Sequence, residues 1–412
     1  MDKLLKIIEY ALMGTLIGIL SFGCTDYSNE EELFIVDYEK EYPIMNLKLS
    51  DIADISFIQL GGKDSVKLLS SPSSFSNKIY IDDGYILIGD FVPYTKDGEW
   101  HRFAPQNAKL LMFNSKGDYL KTILRACQSD SGMIFHGMET HFEVSSNQKV
   151  IYAYSGNGQF IREFDFTGKI IKDNKCLLKK FSDIVLIGDT LALFDVDAQK
   201  IRNNGELIDK GASIKFYNVI SGNFLQHPGH NFQKPYDSRK SNAPKKITKV
   251  DSGIYITTSR TDTVYFVNNN LFISPRFVAV RRRDDVDNLI YPLVETEDYI
   301  LFCNGQDAGA FKNKVYDNAN YLYMKDDKQI YKLPCSNAFP ENREDVLWMD
   351  EFLLDYTYTT LIPNTLAAIL PISFLKEKYD FLPDKLKRMT SSVSETENPI
   401  LMVMKFGKAL PK

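Results

Sequence analysis

The side chains best suited to chemistry lie between residues 91 and 107 of this 412-residue chain. The segment contains Tyr94, Trp100, His101 and Arg102. Aromatic rings stack on the apolar face of a sugar, while imidazole and guanidinium groups form hydrogen bonds with hydroxyl and carboxylate groups. We therefore predict that this segment binds a glycan or a peptide. The alternative is that Trp100 and Tyr94 fold back and cover the edge of a neighbouring sheet.

Two further candidate ligand-binding residues lie elsewhere in the chain. His136 belongs to the segment between residues 126 and 139, and Arg282 is the middle arginine of an Arg-Arg-Arg-Asp-Asp run. Guanidinium groups match the planar geometry of carboxylates and sulfates, so Arg282 would suit an acidic glycan. The alternative for this run is a solvated loop whose charges neutralise one another.

Catalytic and metal-binding signatures are absent from the sequence. It has no Gly-x-Ser-x-Gly elbow, no His-Glu-x-x-His helix and no phosphate-binding glycine-rich loop. The pairs His136/His141 and His227/His230 lack an evident third ligand, which a metal site needs. We predict no metal site and assign neither catalytic residues nor a cofactor.

The elements that must position these residues are short strands joined by turns. An alternating strand, a glycine-containing turn and a second alternating strand occur at 110–120, 161–171 and 214–225. A hairpin without glycine follows at 321–331. The chain also contains 27 Phe and 23 Tyr, residues that favour pleated and half-buried surfaces.

This recurrence predicts an all-β fold, a six-bladed β-propeller of four-stranded antiparallel blades. Units of four strands repeating at roughly 50 residues are typical of propeller blades. A small sheet buries both faces only when it stacks against its neighbours. The predicted blades are 78–125, 140–173, 181–226, 245–280, 292–333 and a sixth that begins with 346–370. A β-sandwich, or two unrelated β domains, is the alternative.

Two features of the predicted ring bear on the site. Strands 55–60 and 399–406 are expected to share the last blade and close the ring, and a short helix interrupted by Pro383 is expected between 373 and 390. The topology also places the segments that contain Trp100 and His136 on one face. The alternative function for such a ring is a metal-dependent hydrolase or lyase with its site at the central channel.

The N-terminus predicts export and a lipid anchor. Lys3 and Lys6 precede an apolar run that ends at Phe22, and Gly23 and Cys24 follow. A basic flank, a short apolar stretch and a small residue form a secretory signal, and a cysteine directly after it favours the bacterial lipoprotein type. We predict a signal peptide over 1–23, a lipidated Cys24 with a tether over 24–36, and a propeller over 37–412. An ordinary signal peptide cut elsewhere is the alternative.

The net charge and the cysteine content indicate which classes of partner and which disulfide bonds to expect. The net charge is −5 and no basic stripe is present, so we predict no nucleic-acid partner. Apart from Cys24, the four cysteines at 127, 176, 303 and 335 have no paired short spacing. We therefore expect scattered small apolar residues, and the alternative is a single disulfide bridge. The expected partners are a membrane, through the lipid on Cys24, and a glycan, a peptide or an envelope protein. A purely structural subunit of an envelope complex is a third alternative.

The chain resembles the six-bladed β-propeller lipoproteins, distantly NHL-like, of Bacteroidota-type envelopes. The segments that carry the resemblance are Cys24 with its preceding residues, strand 55–60, hairpins 113–117 and 164–168, segment 261–265 and tail 397–406. The resemblance implies a protein anchored by lipid to the outer membrane, on its periplasmic or surface side. In place of the Gly-rich loop that often follows the first hairpin in the family, this chain has residues 125–133.

Overall fold

The computed structural model describes residues 33–47, 49–61, 79–90, 95–96, 99–100, 109–125, 142–155, 160–175, 181–195, 200–203, 206–209, 213–226, 244–258, 262–280, 288–306, 320–333, 357–377, 379–393 and 399–407. The chain divides into two units, 1–34 and 35–412, and the blades belong to the second.

In the described part of the chain, antiparallel strands build six blades and two small two-stranded sheets. The N-terminal part gives β1 (Phe34–Asp37), helix α1 (Leu49–Ile52) and β2 (Ala53–Gln59). Blade 1 contains β3 (Ile79–Ile81), β4 (Tyr85–Asp90), β7 (Lys109–Asn114) and β8 (Tyr119–Arg125), with the hairpin β5 (Thr95–Lys96) and β6 (Glu99–Trp100) inserted. Blade 2 contains β9 (Phe142–Ser145), β10 (Val150–Ser155), β11 (Phe160–Asp165) and β12 (Ile170–Lys175).

The remaining blades follow the same order. Blade 3 contains β13 (Phe181–Ile187), β14 (Thr190–Asp195), β17 (Ser213–Asn218) and β18 (Asn223–Phe224), with the hairpin β15 (Lys200–Asn203) and β16 (Glu206–Asp209) inserted. Blade 4 contains β19 (Pro244–Val250), β20 (Gly253–Thr258), β21 (Thr263–Asn268) and β22 (Ile273–Val280), and β1 adds a fifth, outermost strand. Blade 5 contains β23 (Asn288–Glu295), β24 (Tyr299–Gln306), β25 (Asn320–Met324) and β26 (Gln329–Leu333). Blade 6 contains β27 (Thr357–Thr359), β28 (Thr365–Leu370), β29 (Ile400–Phe406) and β2.

The ring closes through strands from both ends of the chain. β2 pairs antiparallel with β29, from Ala53 opposite Phe406 to Gln59 opposite Ile400. This pairing joins an early strand of the chain to the last one. The predicted six-bladed propeller, and its closure by an early and a late strand, are therefore confirmed.

The hydrophobic core lies mainly between neighbouring blades. One cluster joins blade 1 to blade 2, for example Leu110 to Phe142, and another joins blade 3 to blade 4, for example Phe216 to Ile254. Blades 4 and 5 meet where the rings of Phe277 and Phe302 lie 5.0 Å apart, edge to face. Burying an aliphatic or aromatic side chain of this size contributes about 1.5–3 kcal/mol, which explains why a single blade needs its neighbours.

Two short helices complete the interface between blades 5 and 6. They are α2 (Ile372–Glu377) and α3 (Asp384–Ser391), with a 3-10 turn over Tyr379–Phe381 between them. Pro383 stands immediately before α3, where its fixed φ and missing N–H are tolerated. Leu375 and Leu386 are buried in a cluster shared with blades 5 and 6, so the predicted interrupted helix is confirmed.

The antiparallel order gives the ring two different faces. On the face we call the turn face, first and second strands are joined by two to five residues, as at 188–189 and 360–364, and third and fourth strands by four, as at 115–118. On the opposite face, called the loop face, the connections include 91–108, 126–141 and 371–399. None of the helices among the described residues is long and apolar enough to span a membrane.

Candidate functional site

The predicted ligand-binding residues lie outside the described part of the chain. This applies to Tyr94, His101, Arg102, His136 and Arg282. Trp100 ends strand β6, but its side chain is not described, and Cys24 also lies outside the described ranges. Their grouping around one ligand therefore stays a prediction.

The strand ends that flank these segments are described. The segment with Trp100 leaves the ring at Asp90 and returns at Lys109. The segment with His136 runs from the end of β8 to the start of β9, and the one with Arg282 runs from the end of β22 to the start of β23. In an antiparallel blade the end of the second strand and the end of the fourth lie at the same edge. All three segments therefore start and finish at the loop face.

A cavity of about 250 Å³ opens at the turn face, where the first turns of several blades meet. We call it the turn-face pocket. It takes residues from blades 1, 2, 3, 4 and 6, so it lies around the ring axis. Its polar lining residues are Tyr80, Ser145, Ser146, Asn147, Lys249, Asp251 and Asn269. Its apolar lining residues include Val144, Ile187, Leu361, Ile362 and Pro363.

One ion pair of this pocket spans the axis. Lys249 of β19 and Glu143 of β9 belong to blades 4 and 2, which are not neighbours, and their Nζ and Oε2 atoms lie 3.6 Å apart. The Glu143 side chain is only 1% exposed, whereas that of Lys249 is 20% exposed. A separation of 3.6 Å is too long for a hydrogen bond, so the attraction is Coulombic. The lysine is the member of the pair that solvent, or a ligand, can reach.

A hydrogen-bonded chain holds Asp251 at the pocket rim. The Asn364 side-chain amide donates from Nδ2 to Asp251 Oδ2 at 2.7 Å, and the Asn269 amide donates to the Asp251 backbone oxygen at 3.1 Å. Asn364 Oδ1 in turn accepts from the Glu295 backbone N–H at 3.1 Å. These contacts join turns of blades 4, 5 and 6, and fix the position of an exposed carboxylate.

The Glu295 side chain also joins blades 4 and 5. Its carboxylate accepts hydrogen bonds from Tyr255 Oη and Lys325 Nζ, both at 2.8 Å, and Arg276 lies 3.9 Å away. Burial, followed by the negative charge of Glu295, raises the pKa of Tyr255 far above its ordinary value. The Tyr255 phenol therefore remains a hydrogen-bond donor to Glu295 at any physiological pH. Together with Lys325, these side chains stabilise the blades that carry Asp251 and its partners.

The channel wall between blades 4 and 5 carries a second group of titratable side chains. Lys246 Nζ lies 5.3 Å from the ring centre of Tyr291, which faces Cys303 across the β23–β24 pair. Burial lowers the pKa of Lys246, although Asp183 and Cys303 oppose that change. Burial also raises the pKa of Cys303 to about 11. Cys303 is a free thiol, so it takes no part in the disulfide bridge that the sequence left open.

Lys246 and Lys249 were not predicted as site residues from the sequence. Both lie in the Pro-Lys-Lys-Ile-Thr-Lys-Val strand β19, which shows no motif. Their local signal is a pair of lysines in the first, innermost strand of a blade, where most residues are buried. Within the described ranges, no three His, Cys, Asp or Glu side chains are grouped as a metal site requires.

Comparison with known proteins shows similarity at the level of the fold. The structure is similar to that of an exported protein from Bacteroides fragilis, with a TM-score of 0.59, 16% identity, and coverage of 91% of this chain and 100% of that one. A member of the DUF4221 family from Bacteroides vulgatus gives a TM-score of 0.46 at 9% identity, covering 87% of this chain and 99% of that one. Virginiamycin B lyase from Staphylococcus aureus gives 0.41 at 11% identity, covering 85% and 99%. No protein-family model and no curated protein matches the sequence. The likeness to the Bacteroides fragilis protein is one of fold.

Proposed function

We propose that this protein is an envelope-anchored recognition propeller that binds an extracytoplasmic glycan or peptide, or a partner protein, at its loop face. The observation that carries the proposal is the difference between the two faces of the ring. The turn face has connections of only two to five residues, whereas the loop face carries the connections 91–108 and 126–141. Long connections in compact folds commonly serve binding, because a rigid scaffold holds them while their sequence is free to vary.

The chemistry of these connections supports a glycan or peptide. Tyr94, Trp100, His101 and Arg102 belong to the first, and His136 belongs to the second. Arg282 belongs to a third connection that also starts and finishes at the loop face. Aromatic rings with a few polar groups are the usual lining of a sugar or peptide site. The expected contacts are stacking on Trp100 and an ion pair between Arg282 and an acidic group.

The proposed location rests on two observations. The first is the signal-like N-terminus with Cys24, whose lipid would hold the protein at the outer membrane, facing either the periplasm or the outside. The second is the fold it shares with a Bacteroides fragilis protein that is described as exported. Metabolic labelling with radioactive palmitate, compared between the wild type and Cys24→Ala, tests the anchor. Equal labelling of the two proteins would contradict it.

Binding at the loop face is tested with Trp100→Ala. A panel of glycans and peptides is first screened against the wild type, and the affinity for the best ligand is then measured calorimetrically. Loss of a central aromatic contact is expected to weaken binding by about tenfold or more, equivalent to at least about 1.4 kcal/mol. The matched control is Phe272→Ala, which removes an aromatic side chain that is 61% exposed on the turn face. Unchanged affinity in Trp100→Ala would show that the ligand binds elsewhere.

A further inference from the structure

The turn-face pocket lies at the end of the ring opposite the proposed glycan or peptide site. We infer that it is a second binding site, which takes a small zwitterion with an apolar side chain, of the size and chemistry of a free aliphatic amino acid. Three properties of its lining support this ligand: a reachable ammonium group, a reachable carboxylate and an apolar wall.

The ammonium group is that of Lys249. It has three N–H donors, and its described ionic partner, Glu143 Oε2, lies beyond hydrogen-bond range at 3.6 Å. Among the residues that the structure describes, this ammonium group has no hydrogen bond within range. A carboxylate entering the pocket would gain charge-assisted hydrogen bonds to this group. Lys249 is therefore the residue expected to bind the acidic end of the ligand.

The carboxylate is that of Asp251, two residues after Lys249. Oδ2 accepts the Asn364 amide at 2.7 Å, which leaves the other oxygen available to a ligand. The surrounding turns carry further acidic residues, namely Asp82, Asp83 and Asp189. Together with Asp251, these carboxylates outnumber the exposed Lys149 in the neighbouring turn of blade 2, so the rim is mainly acidic and would attract an amine. Asp251 is expected to bind the amino group.

The apolar wall includes Ile187, Leu361, Ile362 and Pro363, which line the same cavity as Lys249 and Asp251. A cavity of about 250 Å³ is smaller than the 300–1,000 Å³ typical of drug-sized ligands. It therefore suits a single small molecule. An aliphatic side chain, such as that of leucine, would cover the wall while both charged ends meet their partners.

Calorimetric titration of the full-length protein in mild detergent tests the inference with four probes. Leucine carries all three features, leucinamide lacks the carboxylate, N-acetylleucine lacks the ammonium group and glycine lacks the side chain. We expect saturable binding of leucine and affinities at least about tenfold weaker for each of the other three. Leucinamide binding as tightly as leucine, or no leucine binding at millimolar concentrations, would overturn the inference.

Matched variants identify the residues. Lys249→Met alone would remove the positive charge that lies 3.6 Å from the buried Glu143 carboxylate, so it is combined with Glu143→Gln. The double variant is expected to lose at least about tenfold in leucine affinity, whereas Glu143→Gln alone, which keeps the lysine, retains binding. Lys116→Met, in the exposed turn after β7, is the control and is expected to bind as the wild type does. Wild-type affinity in the double variant would overturn the role of Lys249.

A separate variant covers the case in which the double variant does not fold. Asp251→Asn changes an exposed group and should fold normally. It is expected to weaken leucine binding by about fivefold or more but to leave the weak binding of N-acetylleucine unchanged, because that probe has no ammonium group. Trp100→Ala is expected to leave leucine binding unaffected, which separates this site from the proposed loop-face site. Equal leucine affinity in Asp251→Asn and the wild type would overturn the proposed contact.

Discussion

Gly117 lies in the turn between β7 and β8, against the end of the strand that closes the ring. Its φ of +91° is one that residues with a side chain rarely adopt. A Cβ atom at this position would overlap the carbonyl oxygen of Gln59 and crowd Ile58. Two backbone hydrogen bonds join the same parts, from Gly61 N–H to the Gly117 oxygen at 2.9 Å and from Tyr119 N–H to the Gly61 oxygen at 2.5 Å. Gly117→Ala should therefore weaken the contact between blade 1 and β2.

The expected cost has two parts. Placing a Cβ in a left-handed backbone conformation costs roughly 1–2 kcal/mol. Relief of the overlap requires the turn to move away from Gln59, which loses two hydrogen bonds worth about 1 kcal/mol each. The total is about 3–4 kcal/mol in the free energy of unfolding. The control is Gly188→Ala, since Gly188 has a φ of +55° but no atom within 4 Å of an added Cβ, so only the first part applies.

Urea unfolding followed by intrinsic fluorescence measures both variants against the wild type. Gly117→Ala is expected to lose about 2 kcal/mol more than Gly188→Ala, with the dependence on urea unchanged. If the two substitutions cost the same, the close approach of this turn to β2 is wrong, and with it the described closure of the ring.

Three further predictions concern buried groups. Glu295→Gln removes the charge that Lys325 and two neighbouring side chains share, and should lower the free energy of unfolding by about 2–4 kcal/mol in urea; a loss under about 0.5 kcal/mol would contradict the network. The buried Cys303 thiol, whose pKa is raised to about 11, should not react with maleimide at pH 8 until the protein unfolds, and rapid labelling of the native protein would disprove its burial. Burial, followed by nearby negative charges, raises the pKa of Tyr152 to about 12. In the unfolded chain the Tyr152 phenol ionises near pH 10, below its pKa in the folded state, so the melting temperature should fall as pH rises from about 10 towards 12. The fall should be smaller in Tyr152→Phe, and an equal fall in the variant and the wild type would refute this contribution of Tyr152.

The hairpins could be predicted because their turns have local requirements. Gly117, Gly168 and Gly222 of the three repeated hairpins have φ values of +91°, +91° and +71°. Glycine adopts this conformation without a steric penalty, so its recurrence between alternating segments reveals the blades. In the hairpin without glycine, Lys328 takes the positive φ, at +54°. Because a lysine rather than a glycine has the left-handed conformation in this turn, the glycine that marks the other hairpins is absent from this part of the sequence.

The turn-face pocket could not be predicted in the same way. Glu143 and Lys249 lie more than a hundred residues apart, in blades 2 and 4, and meet only across the ring axis. Residues brought together by ring closure have no characteristic spacing in the sequence. The fifth strand of blade 4, Phe34–Asp37, was missed because four residues are too few to show alternation.

The measurement that tests the proposed function most directly is a thermal-unfolding scan with a panel of glycans and peptides, with calcium or zinc, and with a chelator. A ligand at 100 times its dissociation constant stabilises the folded state by about 2.7 kcal/mol. We predict that a glycan or peptide raises the melting temperature and that the chelator does not abolish the rise. A rise that occurs only with a metal ion and disappears with the chelator would contradict the recognition propeller and favour a metal-dependent hydrolase or lyase at the central channel.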